Sequence, residues 1–172
     1  MNADANSLPV VCFVCTGNAA RSVMARAILA ERTQRYRVIG AGTFALEGHP
    51  MSQRTRLALN RLGVSERDHR SRQFGTEHAG ADLVITMEPD HVKWVRKHYP
   101  QVSSKTGTLR RLVRDMPTKG NLKERVTSLN LADVILEDWE EVVDPASGDQ
   151  DVFDACAMAL DDLVGRLALR LF

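Results

Sequence analysis

The hydrophobic positions of this chain form short apolar runs, typical of buried strands, separated by stretches in which apolar residues recur every three or four positions. Three runs that end near turn residues predict strands at Val10–Val14, Tyr36–Ala41 and Asp82–Met87. A shorter run predicts a fourth strand near Thr106–Leu109. Strands and helices are therefore expected to alternate along the chain.

Helix signals occupy the intervals between these runs. Five helices are predicted. The first begins at Ser22, the second extends from Ser52 to Gly63, and the third begins at Pro89 and ends before Pro100. The last two cover residues 122–136 and Val152–Leu171. Because the two kinds of element alternate, the pattern predicts an α/β fold with a four-stranded parallel sheet and helices on both faces. Ligands of such sheets bind beyond the carboxyl ends of the strands.

The length and composition of the chain fit one globular domain. It has 172 residues, of which 44% are hydrophobic, so we expect one domain over residues 1–172, with residues 1–8 flexible. No stretch reaches the ~18 consecutive apolar residues of a membrane span, and the first residues lack the pattern of a secretion signal. The three cysteines do not suggest a disulfide framework, so a cytoplasmic location is expected.

The formal net charge of +1 hides a strong asymmetry along the chain. Residues 1–125 carry 21 Lys and Arg against 11 Asp and Glu, whereas residues 126–172 carry 2 against 11. We interpret this as a basic and an acidic face of one fold, and a basic rim would attract phosphorylated substrates. Nucleic acid is not an expected partner, because Phe74, Trp94 and Tyr99 form no evident set of base-stacking rings.

The first predicted strand leads directly into the segment Cys15-Thr-Gly-Asn-Ala-Ala-Arg-Ser22, which is followed by an amphipathic helix. A Cys and an Arg separated by five residues are a weak signal alone, but this context makes the signal specific. Backbone N–H groups of such a turn can converge on one anion at a helix N-terminus. We therefore expect a phosphate-binding loop after the first strand, formed by Thr16, Gly17, Asn18, Ala19, Ala20 and Ser22.

The residue types of this loop suit nucleophilic attack on a phosphate. Arg21 can bind two phosphoryl oxygens through its planar guanidinium. The same positive field favours the thiolate of Cys15, which is the nucleophilic form. Ser22 can donate a hydrogen bond to that sulfur, and Asn18 tolerates a left-handed backbone. We favour Cys15 and Arg21 as catalytic residues over the alternative of a core cysteine and an exposed helix arginine.

The other cysteines and the histidines suggest no metal or cofactor. Cys12 and Cys15 lie three residues apart in a strand, so their side chains point to opposite faces ~10 Å apart, and a disulfide needs Cα atoms within ~7 Å. Cys156 lies on the apolar face of the last predicted helix and is expected in the core. The five histidines have no metal-ligand spacing.

Five segments, in this order, resemble the low-molecular-weight protein tyrosine phosphatases, a family that shares its fold with some arsenate reductases. These segments are Val14–Ser22 with Met24-Ala25, Gly40–Thr43, His69–Gln73, Ala81–Met87 and Val143–Pro145. The resemblance implies a cysteine-dependent phosphomonoester hydrolase, expected to act on phosphotyrosine, which forms a phosphocysteine intermediate. Its expected partners are phosphorylated proteins or small aryl phosphates, with inorganic phosphate and other oxyanions as inhibitors.

The resemblance also implies two roles outside the loop. Asp144 would protonate the leaving oxygen and then activate the water that hydrolyses the phosphocysteine, and such acid–base work contributes typically ~10²–10⁴-fold. Without the resemblance, Asp144-Pro145 is only a turn in an acidic stretch. His69 would support the phosphate loop by hydrogen bonding, against the alternative of a surface histidine.

The chain departs from the family pattern at positions that spare these catalytic groups. Ala20 replaces a frequent second cysteine, and Gly40 replaces a serine behind the loop. Ala146 and Ser147 stand where aromatic residues commonly line the phosphotyrosine slot, which leaves Phe44 as a candidate wall. In addition, residues 115–142 are predicted to form an extended insertion.

Two other functions remain open at this level. An arsenate reductase could use the same loop, because arsenate mimics phosphate. Cys156 is the only cysteine after the loop, so a relay through two further cysteines is excluded and such a reductase would need an external small thiol. A non-catalytic phosphate-binding module is the third alternative, although binding alone requires neither a thiol nor an acid.

Overall fold

The computed structural model describes residues 7–172, so most of the predicted flexible segment 1–8 lies outside the described residues. Within that range, one sheet contains β1 (Val10–Cys15), β2 (Arg37–Gly42), β3 (Leu83–Thr86) and β4 (Thr106–Thr108). All neighbouring strands are parallel, in the order β2-β1-β3-β4. The predicted four-stranded parallel sheet is confirmed.

Four helices lie in the connections between the strands, and three follow the last strand. They are α1 (Arg21–Arg32), α2 (Gln53–Arg61), α3 (Thr76–Ala79), α4 (Pro89–His98), α5 (Leu109–Asp115), α6 (Leu122–Ser128) and α7 (Gln150–Leu171), with 3-10 turns at Pro100–Lys105, Leu131–Asp133 and Asp138–Glu140. Ser52 caps α2 as predicted, because its hydroxyl oxygen accepts a hydrogen bond from the N–H of Thr55. No helix in residues 7–172 is both long and apolar enough to cross a membrane.

The predicted helix at residues 122–136 is wrong in its second half. α6 begins with a capping box in which Asn121 and Glu124 exchange side-chain-to-backbone hydrogen bonds of 2.9 and 3.0 Å. Asn130 then adopts φ +49°, a left-handed conformation that ends helical propagation. The interpretation of residues 115–142 as an insertion stays a prediction.

The two faces of the sheet are both buried under helices. On the first face, Val11, Phe13 and Cys15 of β1 belong to a large apolar cluster that includes residues of α1, α5 and α7. On the second face, Cys12 and Val14 pack in a smaller cluster. This second cluster includes Val84, Phe74, Trp94 and Tyr99. The helices on both faces, and the opposite orientation of Cys12 and Cys15, agree with the sequence-based expectation.

The acidic end of the chain meets basic residues from its earlier part. Asp161 of α7 pairs with Arg32 of α1, and Asp154 of α7 pairs with Arg61 of α2. Ion pairs between the two oppositely charged parts of the chain thus accompany the apolar packing of α7 against α1 and α2.

The register of the sheet decides what lies beside the loop. Val14 of β1 pairs with Thr86 of β3, so the residues after Thr86 emerge next to Cys15. Parallel strands present their carboxyl ends at one edge, and this edge carries the candidate site.

Candidate active site

Cys15 ends β1 at the base of the loop, and its residue is only 3% exposed. Its sulfur lies 3.0 Å from the hydroxyl oxygen of Ser22. That oxygen accepts a hydrogen bond of 2.9 Å from the side-chain amide of Asn18. Because the amide already donates to the oxygen, the hydroxyl proton of Ser22 is available to the sulfur, and such a hydrogen bond would stabilise a thiolate.

Asn18 fixes the turn of the loop from behind. Its backbone has φ +49°, as its residue type predicted. Its carbonyl oxygen accepts 2.8 Å hydrogen bonds from His69 Nε2 and from the Ser71 hydroxyl, and its side-chain oxygen accepts one of 2.9 Å from the N–H of Arg72. Burial lowers the pKa of His69, so the neutral ring donates to this carbonyl. The structure thus brings the predicted supporting residue His69 against the loop.

Other loop carbonyls are also turned away from the site. Those of Cys15 and Thr16 accept 2.9 Å hydrogen bonds from the N–H groups of Thr43 and Phe44. Gly42 makes this approach possible, because a Cβ at that position would lie 2.4 Å from the carbonyl oxygen of Thr16.

No backbone N–H group from Thr16 to Ser22 has an acceptor among the described hydrogen bonds, so the loop leaves these groups to an anion. Ala20, the N-cap of α1, makes no side-chain hydrogen bond to the helix, and the first turn of α1 has no acidic residue. The N-terminus of α1 therefore keeps its free donors and its positive dipole end directed at the loop.

Arg21 lies buried beside the loop, 2% exposed. Its Nη1 donates to Glu88 at 2.5 Å and to the carbonyl oxygen of Val142 at 2.8 Å. Its Nη2 lies 3.5 Å from a carboxylate oxygen of Asp144. The guanidinium is thus held in place by the segment after β3 and by the loop that contains Val142 and Asp144.

Asp144 comes from a loop that lies more than 120 residues after Arg21 in the sequence. The N–H of Val142 donates to the carbonyl oxygen of Met87, just after β3, at 2.7 Å and attaches this loop to the site edge. One carboxylate oxygen of Asp144 accepts a 3.0 Å hydrogen bond from the N–H of Ala146. The side chain is 47% exposed, so it can reach both a substrate and water.

A thiol over a helix N-terminus, a buried guanidinium and a half-exposed carboxylate meet at one edge of the sheet. The family model of the low molecular weight phosphotyrosine protein phosphatases matches residues 10–171. The chain belongs to this family. It is therefore a cysteine-dependent phosphatase, and enzymes of this family form a phosphocysteine intermediate.

Three relatives illustrate the range of the family. The chain is 32% identical over 163 residues to the protein-arginine-phosphatase of Geobacillus stearothermophilus, covering 94% of this chain and 95% of that protein. The solved structure of the YwlE arginine phosphatase from the same organism has a TM-score of 0.77 over 95% of this chain and 92% of that one. A low molecular weight protein tyrosine phosphatase from T. tengcongensis has a TM-score of 0.76 and 29% identity, over 93% and 97% of the two chains.

Three site residues of this family member were missed in the sequence: Glu88, Ser71 and His91. His91 is 2% exposed, and its Nε2 lies 2.9 Å from the hydroxyl oxygen of Thr16. Its Nδ1 is buried and has no partner among the described residues. Burial lowers the pKa of His91 to about 4, so the ring is neutral at pH 7. Glu88 and His91 follow β3, so the strand-end rule was the available signal.

The mouth of the phosphatase site has few large side chains. Phe44, placed at the rim by its hydrogen bond to Thr16, is 78% exposed, and Val143 is 68% exposed. Ala146 and Ser147 are exposed and small, and Ser147 has φ +70°. The segment after Pro145 therefore supplies no aromatic wall.

The two remaining cysteines of this phosphatase are free and buried. Cys12 faces the opposite side of the sheet, where burial raises the pKa of its thiol. Cys156 of α7 packs as predicted in the core, yet its sulfur lies 3.8 Å from the carbonyl oxygen of Val143, next to Asp144. Burial raises the pKa of Cys156 to about 11, so it stays a thiol.

Proposed function

We propose that this chain is a protein phosphatase in which Cys15 is the nucleophile, Arg21 binds the phosphoryl oxygens and Asp144 transfers the proton. The observation that carries the proposal is the thiol of Cys15, 3.0 Å from the Ser22 hydroxyl in a loop that leads into the N-terminus of α1. Groups of these kinds at one point supply a nucleophile, an anion site and an acid.

In the first step, the substrate phosphate enters the loop and Cys15, as its thiolate, attacks phosphorus. The bond from phosphorus to the leaving atom breaks, and protonated Asp144 gives its proton to that atom. In the second step, the carboxylate of Asp144 takes a proton from water, which attacks phosphorus. The phosphorus–sulfur bond breaks, and the hydroxyl of Ser22 stabilises the departing thiolate.

Phosphotyrosine is the first proposed substrate. The family's description and the T. tengcongensis relative name tyrosine phosphatases, and the exposed ring of Phe44 at the rim offers one apolar surface to a phenyl group.

Phosphoarginine is the second. The Geobacillus relative that aligns over nearly its whole length is named an arginine phosphatase. The site edge supports this substrate because acidic and polar side chains lie there: Glu88 and Asp144 beside Arg21, and Thr16 with His91. Once Asp144 has given its proton to the leaving atom, its carboxylate can pair with the guanidinium that forms, whereas a neutral phenol offers no such charge.

A parallel assay separates the candidates. Phosphotyrosine and phosphoarginine peptides of one sequence would be compared by kcat/KM, with p-nitrophenyl phosphate as a general substrate and Cys15→Ala as the blank. A difference in kcat/KM of tenfold or more, which corresponds to on the order of 1.4 kcal/mol, decides the substrate class. Arsenate reduction with glutathione, without phosphate release from any substrate, would reject the phosphatase in favour of a reductase. Oxyanion binding without either activity would leave a binding module.

The remaining parts of the proposal follow from this chemistry. Inorganic phosphate and other oxyanions are proposed as competitive inhibitors, since they fit the same loop. A reducing cytoplasm is the proposed location, because the mechanism requires Cys15 as a free thiol. No nucleic-acid or membrane partner is proposed.

A further inference from the structure

A buried ion pair joins the segment before Asp144 to α5, away from the phosphate loop. Glu140 is 0% exposed and lies four residues before Asp144. Arg111 of α5 donates from Nε to one carboxylate oxygen of Glu140 and from Nη2 to the other, both at 2.8 Å. This bidentate arrangement fixes the orientation of the two side chains as well as their distance.

The carboxylate of Glu140 is fully satisfied. The hydroxyl of Thr108, at the end of β4, donates to it at 2.8 Å, and the N–H of Glu137 donates at 2.7 Å. Burial acts to raise the pKa of Glu140, but the hydrogen bonds from Arg111, Glu137 and Thr108 hold it below its usual value. The pair is therefore charged at neutral pH.

The connection continues from Glu140 to the catalytic groups. We call residues 137–144 the acid arm. Within the acid arm, the carbonyl oxygen of Glu141 accepts a 2.7 Å hydrogen bond from Arg110 Nε. Val142 contacts both Met87 and Arg21, as described above. Asp144 itself is half-exposed, so its position depends on how the acid arm is attached.

Stability alone gives little reason for such a pair. Apolar residues of similar volume often stabilise a core as well as a buried ion pair does, because two charges must be desolvated. What the pair of Arg111 and Glu140 adds is a defined position for the chain that follows it. That chain ends at the carboxylate of Asp144.

We propose that Arg111 and Glu140 are positioning residues for the general acid, holding the acid arm so that Asp144 faces the leaving atom. The inference rests on the proposed role of Asp144. Arg21 keeps its second anchor, Glu88, on a different element, so anion binding is expected to change much less than proton transfer.

The test measures kcat/KM, which reports formation of the phosphocysteine, for phenyl phosphate and 2,4-dinitrophenyl phosphate. Glu140→Ala should lower the value about 10-fold or more for the poor leaving group and less than about 3-fold for the good one, because a good leaving group needs little protonation. Phosphate inhibition constants should change by less than about 3-fold. Glu140→Gln and Arg111→Lys keep the size or the charge and should give intermediate losses, and they decide the question if Glu140→Ala does not fold.

The matched control is Arg125→Ala. Arg125 is also a buried arginine, but it lies on α6 and donates to the carbonyl oxygen of Leu171 at 3.4 Å, with no bond to the acid arm among the described contacts. It should leave the ratio of the two rates unchanged.

A double mutant separates positioning from general damage. In an Asp144→Ala background, Glu140→Ala should cost little more, because the acid it positions is gone. An equal loss for both substrates, or the same loss with and without Asp144, would overturn the inference. If Asp144→Ala alone showed no dependence on the leaving group, the proposed function of Asp144 would fail instead, whatever Glu140 does.

Discussion

The hydroxyl oxygen of Ser22 lies 3.0 Å from the sulfur of Cys15, and the amide of Asn18 orients it by donating to the same oxygen at 2.9 Å. A hydrogen bond to a charged group contributes about 1.5–3 kcal/mol. In the proposed mechanism the sulfur carries negative charge when it attacks and again when it leaves phosphorus, so Ser22 is expected to act on both steps.

Ser22→Ala should therefore lower kcat for p-nitrophenyl phosphate by about 10- to 100-fold. The loss arises because the thiolate is a poorer leaving group without the hydroxyl proton. Steady-state and burst kinetics would measure it, and phosphocysteine should accumulate. An unchanged kcat would mean that the loop N–H groups and the helix dipole suffice to stabilise the sulfur.

The proposed roles of Cys15 and Arg21 can be distinguished by measuring oxyanion binding and turnover separately. Cys15→Ser should abolish turnover and retain oxyanion binding, because the loop N–H groups and Arg21 remain. Arg21→Ala should weaken both, since the guanidinium is proposed to bind the phosphate in the ground and transition states. Phosphate titration beside activity measures this, and near-normal rates in the serine variant would exclude Cys15 as the nucleophile.

The sheet and the phosphate loop were predictable because their signals are local. The apolar run of β1, Gly17, Asn18 and the start of α1 all lie within one short segment, so the residue types and their order indicated the geometry. The helices α3 and α5 were not predicted from the sequence. They have four and seven residues, too few for an apolar period to be recognised.

The outer part of the site was not predictable from local patterns. Glu88 and the carbonyl of Val142 reach Arg21 only through the pairing of β1 with β3 and the attachment of the acid arm. Ser71 shares the carbonyl of Asn18 with His69, behind the loop where Gly40 replaces the family's serine. Contacts of this kind depend on tertiary packing, which residue spacing does not encode.

The buried ring of His91 predicts a pH-dependent stability. Its folded pKa of about 4 lies below the ordinary value of 6.5, so the unfolded chain binds the proton more readily between these values. The contribution of neutral His91 to the free energy of unfolding is fully present above about pH 6.5. It is lost as the pH falls toward 4, by on the order of 3 kcal/mol at most. His91→Gln should flatten this part of the profile.

Urea unfolding between pH 4 and 7 would measure the effect. His49→Gln is the control, because the side chain of His49 is exposed. If the His91 variant kept the wild-type dependence of unfolding free energy on pH, the buried ring would not be the source of that dependence. The His49 variant should keep it.

The open mouth predicts a weak preference for aromatic substrates. Ala146 and Ser147 offer little surface to a phenyl ring, and ring packing is worth about 0.5–1.5 kcal/mol beyond burial. Ala146→Tyr should lower KM for a phosphotyrosine peptide by about 2- to 10-fold and leave KM for p-nitrophenyl phosphate less affected. Ala132→Tyr serves as a control for added aromatic surface, because Ala132 is exposed and lines a cavity with Pro9 and Asp82 at the opposite edge of the sheet. An unchanged KM in the Ala146 variant would mean that the wall comes from Phe44 or from residues 115–142.

The surroundings of Cys15 determine how it oxidises. Position 20 is alanine, and Cys12 lies on the other face of the sheet with its residue 0% exposed. Cys156 is in the same apolar cluster as Cys15, but its sulfur contacts the carbonyl oxygen of Val143 and burial raises its pKa to about 11. A thiol that stays protonated attacks a sulfenic acid slowly.

Peroxide should therefore convert Cys15 to the sulfenic acid and then to the irreversible sulfinic acid, with no internal disulfide to interrupt the sequence. Added thiol should rescue activity only when it arrives early, and inorganic phosphate should slow the loss by covering the loop. Intact mass would show the addition of two oxygen atoms that a reductant does not remove. A reductant-sensitive loss of two hydrogens would contradict this, and its disappearance in Cys156→Ser but not in Cys12→Ser would show that the α7 thiol reaches the catalytic sulfur despite its contact with Val143.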